Sequence, residues 1–193
     1  MGHDLHVEYR VYVNTWAAQH ALALQGDFVE CGTNTGIYAR AITSLLDFSA
    51  TPKHFYLVDT FEGVPSEKRT QAERDANLPA LHDAIYPDVY TSTADYFSRY
   101  SNVTLIRGRI PESLDPRPAE RVAYLSIDMN AVIPEIAAIE FFWDKLVSGA
   151  AVVLDDYGFR FHEAQKEGFD RFAQAHGVSI LALPTGQGLI LKP

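Results

Sequence analysis

Three aspartates stand where strands should end. Asp128 follows Val122-Ala123-Tyr124-Leu125-Ser126-Ile127, and Asp155 and Asp156 follow Ala150-Ala151-Val152-Val153-Leu154. Carboxylates gathered at one sheet edge repel one another and lose hydration, and a bound divalent cation relieves both costs. Hard oxygen donors favour Mg²⁺, with Mn²⁺ or Ca²⁺ as substitutes. One of these acids could instead cap a helix and another face water. A second constellation is Glu30-Cys31-Gly32-Thr33-Asn34-Thr35-Gly36, an apolar strand running into a glycine loop, with Asp59 one helix and one strand further on. Gly32 and Gly36 would let a ligand approach the backbone. A carboxylate at the position of Asp59 can accept both hydroxyl protons of a ribose. The same features also suit a plain strand-to-helix turn and a surface Asp. The glycine spacing is G-x-x-x-G, whereas a dinucleotide site would show G-x-G-x-x-G, which counts against an NAD-dependent oxidoreductase.

The elements that must position these residues alternate. Tyr9, Tyr12, Val13, Trp16, Ala17, His20, Ala21 and Leu24 fall at helical spacing, stopped by Gly26. Strands are predicted at 27–31, 54–58, 103–106, 122–127 and 150–154, and helices over 36–48, 134–147 and 162–176. Pro134 suits a first helical turn. Two final strands, 178–183 and 189–192, are separated only by Pro184-Thr185-Gly186-Gln187-Gly188. A parallel crossover needs a dozen residues or more, so these two should pair antiparallel. The alternation implies an α/β chain with a mainly parallel, doubly wound sheet. Residues 62–100 break the pattern: they are polar, with Pro65, Pro79 and Pro87 and weak periodicity, and read as a lid-like insertion.

The 193 residues suit a single domain spanning 1–193. A formal net charge of −9 argues against nucleic acid as a partner, because such binding needs Lys and Arg to neutralise phosphates. The N-terminus lacks the basic-then-apolar order of a signal peptide, and no apolar run approaches the roughly 18 residues of a membrane span. A cytoplasmic protein with no membrane partner is expected. The lone Cys31 excludes an intrachain disulfide and reads as a small buried hydrophobe rather than a nucleophile.

The Glu30-x-Gly32-x-x-x-Gly36 loop, Asp59 and the terminal hairpin resemble the class I S-adenosylmethionine-dependent methyltransferases. Asp59-Thr60-Phe61-Glu62-Gly63 and Asp155-Asp156-Tyr157-Gly158, with Phe28-Val29-Glu30-Cys31-Gly32 and Asp128, narrow the resemblance to the macrocin O-methyltransferase family. The resemblance covers nearly the whole chain. It implies a Rossmann-like, doubly wound sheet of seven strands, mainly parallel with an antiparallel C-terminal hairpin strand, and helices on both faces. It implies an S-adenosyl-L-methionine-dependent O-methyltransferase acting on a hydroxyl of a sugar, glycoside or related small natural product, assisted by Mg²⁺. Glu30 would neighbour the cofactor's methionine amino group, Gly32, Asn34 and Gly36 would line the methionine moiety, and Asp59 would hold the ribose. Thr60 and Phe61 would lie near the adenosine, and Gly108, Arg109 and Ile110 would border the adenine. Asp128, Asp155 and Asp156 would hold the metal.

The chain departs from the family at the base. An acid commonly sits two residues after the first metal Asp, where this chain has Asn130, and the position of the catechol O-methyltransferase lysine is Ala131. His162 is the first candidate replacement and Glu135 the second. A helix N-terminal acid is the plainer role for Glu135, and a solvent-facing side chain the plainer one for His162. A non-catalytic S-adenosylmethionine-binding protein remains the alternative, and a homodimer is left open.

Overall fold

The computed structural model describes residues 7–75, 88–114 and 119–193. Seven strands form one sheet: β1 Asp27–Cys31, β2 Phe55–Asp59, β3 Val103–Arg107, β4 Val122–Ile127, β5 Leu146–Leu154, β6 Leu181–Ala182 and β7 Gly188–Leu191. Their order is β3-β2-β1-β4-β5-β7-β6. Strands β1 to β5 run parallel, and β7 pairs antiparallel with both β5 and β6. The reversed strand is therefore β7, one place in from the edge. The chain leaves β1 toward β2 on one side and returns through β4 on the other. That reversal of order is where open α/β sheets bind ligands, beyond the carboxyl ends of the strands.

Every residue of β4 is buried, as a central parallel strand covered on both faces must be. One face packs Phe28, Phe55, Leu57 and Tyr124 against α1 (Glu8–Ala21) and α2 (Ile37–Leu45). The other packs Val29, Val58, Leu125 and Val152 against α5 (Val132–Trp143) and α6 (Glu163–His176). Two further helices, α3 (Gln71–Asp75) and α4 (Tyr90–Phe97), lie in the predicted insertion. Its stretch 76–87, with Pro79 and Pro87, lies outside the described residues.

Three boundaries and part of one helix face differ from the sequence reading. The helix predicted over 134–147 is Val132–Trp143, because Leu146 and Val147 already belong to a longer β5. The helix predicted over 36–48 stops at Leu45. The strand predicted over 178–183 is only Leu181–Ala182, since Val178 and Ile180 pack against the core instead of pairing. Helix α1 forms where expected, and part of its apolar set turns inward: Val13, Ala17, Ala21 and Leu24 pack on the core. Tyr9, Tyr12 and Trp16 stay exposed, while Asn14, Ala17, Ala18 and Ala21 are buried. Small residues let α1 approach α2 and β5 closely. Asn14 is satisfied inside the core, where its Oδ1 accepts the hydroxyls of Tyr124 at 2.6 Å and Ser126 at 3.2 Å.

Candidate active site

The loop after β1 fits only because Gly32 lacks a side chain. Its φ is 92°, and a Cβ there would lie 1.7 Å from the Asp128 carbonyl oxygen. Loops from β1 and β4 can thus touch across the switch point. Gly36 opens α2 at φ 79°, with the Phe97 ring in the space a Cβ would need. Asp59, at the end of β2, ties two loops together. Its Oδ2 accepts the Asn34 N–H at 2.7 Å and its Oδ1 the Phe61 N–H at 2.6 Å. Phe61 is buried at φ 60°, stacked edge-on against Tyr90. Burial still holds the Asp59 pKa above its ordinary value despite these donors.

These loops line an open cleft at the carboxyl edge of the sheet. Eight of the ten residues assigned to a cofactor from the sequence line it: Gly32, Asn34, Asp59, Thr60, Phe61, Gly108, Arg109 and Ile110. Glu30 and Gly36 do not. Glu30 is buried on the α1/α2 face of β1, its Oε2 has no hydrogen-bond partner, and burial pushes its pKa up to about 8. Cys31, beside it, is buried in the opposite core with its thiol pushed up by burial, so the nucleophile alternative has no support. Lys68, Met129, Asn130 and Pro134 are also part of the wall, and so is Asp128.

Asp128 belongs to a second group as well. Ligand atoms from Asp128, Asp155 and Asp156 lie within 4.8 Å of one another. Burial raises the pKa of all three. At Asp128 repulsion from Asp155 and Asp156 adds to this, and at Asp155 and Asp156 the guanidinium of Arg10 opposes it. Arg10 reaches the cluster from α1, pairing with Asp155 and lying 3.3 Å from Asp156 Oδ1. Asp155 Oδ1 also accepts the Tyr38 hydroxyl at 2.9 Å and Gln187 Nε2 at 2.8 Å. Asp156 Oδ2 is buried without a hydrogen bond. Asn130, at φ 54°, donates from Nδ2 to Asp128 Oδ1 at 3.3 Å and so orients that carboxylate.

The two base candidates arrive by different routes. His162 is buried, not solvent-facing. Its Nδ1 is 2.8 Å from Gln165 Nε2 and 3.5 Å from Asp156 Oδ2, and burial with Arg10 lowers its pKa. Glu135 is buried beneath the loop that follows β4, where its Oε1 accepts the Met129 N–H at 3.2 Å. Burial first and Asp156 second raise its pKa well above the ordinary value. Sequence reasoning missed Arg10, Tyr38, Gln187 and Glu73. Glu73 is carried by α3 of the insertion, and its Oε1 accepts the Val132 N–H at the start of α5 at 2.8 Å. Each comes from a remote segment with no local motif to mark it.

The macrocin O-methyltransferase family model matches residues 13–181. The chain belongs to this family. It is 27% identical over 166 residues to mycinamicin III 3''-O-methyltransferase of Micromonospora griseorubida, covering 80% of this chain and 63% of that protein. It is 24% identical over 163 residues to 8-demethyl-8-(2,3-dimethoxy-α-L-rhamnosyl)-tetracenomycin-C 4'-O-methyltransferase of Streptomyces olivaceus, covering 80% and 60%. The chain thus spans about three fifths of the length of these relatives. Among solved structures, the O-methyltransferase NovP superposes with a TM-score of 0.80 at 17% identity, over 95% of this chain and 79% of that one. The calicheamicin methyltransferase CalS11 gives 0.69 at 16% identity, over 97% and 80%. At these identities the superpositions establish the fold, and the family's sheet is the one found here. Among the described residues no helix is long and apolar enough to cross a membrane.

Proposed function

We propose that this chain transfers a methyl group from S-adenosylmethionine to a hydroxyl on the sugar of a small natural product, with Mg²⁺ held by Asp128, Asp155 and Asp156. One observation carries the reading: Asp128 both lines the cleft and belongs to the acid cluster. A donor in the cleft and an acceptor over the cluster would meet there. The unpartnered Glu30 Oε2 fits the ammonium of the cofactor's methionine, and Asp59 at the strand end fits a ribose. The orphaned Asp156 Oδ2 and the repelling Asp128 fit a cation. The names of two relatives point to the acceptor. One methylates a rhamnosyl-bearing tetracenomycin, and CalS11 is described as a TDP-rhamnose 3'-O-methyltransferase.

The cofactor supplies a methyl group on a positively charged sulfur that leaves as a neutral thioether. The cation supplies charge that lowers the pKa of a nearby hydroxyl and orients its oxygen. The chain's own task is alignment, which can supply much of the rate. Asn34, Asp59 and Phe61 lock the two cofactor loops. Asn130 and Glu135 fix the loop that carries Asp128. The acceptor proton needs a destination as the new O–C bond forms and the C–S bond breaks. His162 serves best, because its lowered pKa keeps the ring neutral near pH 7. Glu135 is a poorer base, being buried beneath the loop and engaged with the Met129 N–H. The insertion over 62–100 acts as a lid, with α3 already fastened to α5 through Glu73.

The test is methyl transfer from labelled S-adenosylmethionine to a panel of rhamnosylated natural products, with and without a chelator. Activity should vanish in chelator and return with Mg²⁺. His162→Ala should lower kcat by roughly 10²–10⁴-fold and leave cofactor affinity intact. Full activity in chelator refutes the metal, and an unchanged rate in the variant refutes the base.

A further inference from the structure

Helix α1 places a cation of the chain's own inside the acid cluster. The Arg10 guanidinium pairs with Asp155 Oδ2, donates to the Asp155 backbone carbonyl at 2.8 Å and lies 3.3 Å from Asp156 Oδ1. Asp155 Oδ1 is taken by Tyr38 and Gln187. Both oxygens of that carboxylate are therefore engaged, while Asp156 Oδ2 makes no hydrogen bond and has the His162 ring nitrogen 3.5 Å away. A metal that recruits all three acids must share Asp155 Oδ2 with a guanidinium that never loses its charge near neutrality. Building on the metal reading above, we propose that Arg10 is the built-in counter-ion of the cluster and competes with the divalent cation for Asp155, so that α1 sets the metal affinity.

The surroundings allow the side chain to yield without moving the helix. One turn further on, Asn14 fastens α1 to Tyr124 and Ser126 inside the core. Arg10 lies over the half-exposed ring of Phe159, 5.1 Å from its centroid, and this ring offers a displaced guanidinium a cation–π perch. The cluster thus folds without metal and binds metal less tightly than three free carboxylates would.

Mn²⁺ is the probe, titrated by electron paramagnetic resonance into protein free of cofactor, with thermal unfolding recorded in parallel. Arg10→Met should bind Mn²⁺ on the order of tenfold more tightly than the wild type, because a nearby positive charge is gone. It should melt lower without metal and regain that loss in saturating Mn²⁺. Arg10→Lys should bind like the wild type, and Asp156→Asn should abolish binding in every background. Should Arg10→Met fold only in Mn²⁺, that result also supports the competition. Unchanged or weaker binding by Arg10→Met, with Asp156→Asn still abolishing it, overturns the competition and leaves the metal reading standing. Failure of both wild type and Arg10→Met to bind Mn²⁺ overturns the two together.

Discussion

The two halves of the site are built in opposite ways. In the half proposed for the cofactor, the acid at the end of β2 is held by backbone N–H groups, Asn34 and Phe61, in the loops that immediately follow β1 and β2. In the acid half, Asp155 is held by side chains from α1, α2 and the turn before β7, at sequence separations of 145, 117 and 32 residues. A carboxylate held by its own loops survives as a local motif. One held by distant side chains exists only once the whole sheet has closed. The first half should therefore fail locally when mutated, by losing ligand. The second should fail globally, by losing fold.

The largest effect expected is at Asp155. Asp155→Ala leaves Arg10, Tyr38 and Gln187 without their shared partner, and breaking a buried ion pair on one side costs about 3–5 kcal/mol. Denaturant unfolding at unchanged m would show it. Asp128→Asn should be neutral or stabilising, because it removes a buried carboxylate that its neighbours repel. Equal losses in the two variants would mean that the network around Asp155 adds nothing, and the contrast between the halves would lapse.

Next comes Asp59. Asp59→Ala removes a charged acceptor from two loop N–H groups and from the cleft wall, which should weaken S-adenosylhomocysteine binding by roughly 1.5–3 kcal/mol. Calorimetry measures this directly. A fold loss as large as that of Asp155→Ala, with ligand binding intact, would reverse the assignment of local and global roles.

The same contrast explains what was legible in the sequence. The succession of strands along the chain, the terminal hairpin and the Gly32 and Asp59 loops are coded by neighbours in the chain, where glycines, short apolar runs and strand-end acids leave a pattern. Even there only part of the apolar set on α1 goes inward. Its aromatic stripe of Tyr9, Tyr12 and Trp16 mimics a core face, yet the alanines and Asn14 go inward because close packing on the sheet rewards small residues. Asp128, Asp155, Asp156 and His162 could be named from spacing and resemblance, and the fold does bring them together. Arg10, Tyr38, Gln187 and Glu73 could not. Each is an ordinary polar residue on an ordinary element, and only tertiary placement gives it a partner.

Glu30 lies between the halves and gives a smaller, pH-dependent effect. Its folded pKa is raised by burial from 4.5 to about 8, so between those values the folded chain holds a proton that the unfolded chain has released. Stability in the absence of cofactor should therefore fall as pH rises through that window. An ammonium placed against Oε2 favours the carboxylate, so binding of S-adenosylhomocysteine should release this proton below pH of about 8 and tighten as pH rises toward it, by at most about tenfold per unit. Glu30→Gln should flatten both trends. Retention of the affinity slope in that variant would place the amino group elsewhere.

The smallest effect belongs to the edge where the insertion meets the cofactor half. Lys68 pairs with Glu112 and Arg109 with Glu67, each at 2.5 Å, so two crossed ion pairs join the insertion to the segment after β3. Lys68 and Arg109 also line the cleft. Exposed pairs of this kind are worth about 0.2–1 kcal/mol each and are screened by salt, unlike the buried Arg10–Asp155 pair. Removing both with Arg109→Ala and Glu112→Ala should raise hydrogen exchange across the described residues 62–75 severalfold and leave β4 and β5 unchanged. High salt should reproduce most of the increase in the wild type and add little in the double variant, where the exposed Arg107–Glu62 pair is still there to be screened. The tie through Glu73 to Val132 is buried and should hold α3 in place throughout. An insertion whose exchange responds to neither salt nor the double substitution is fastened by its buried contacts, and Glu73→Ala, which removes the acceptor of the Val132 N–H, then becomes the variant that opens it.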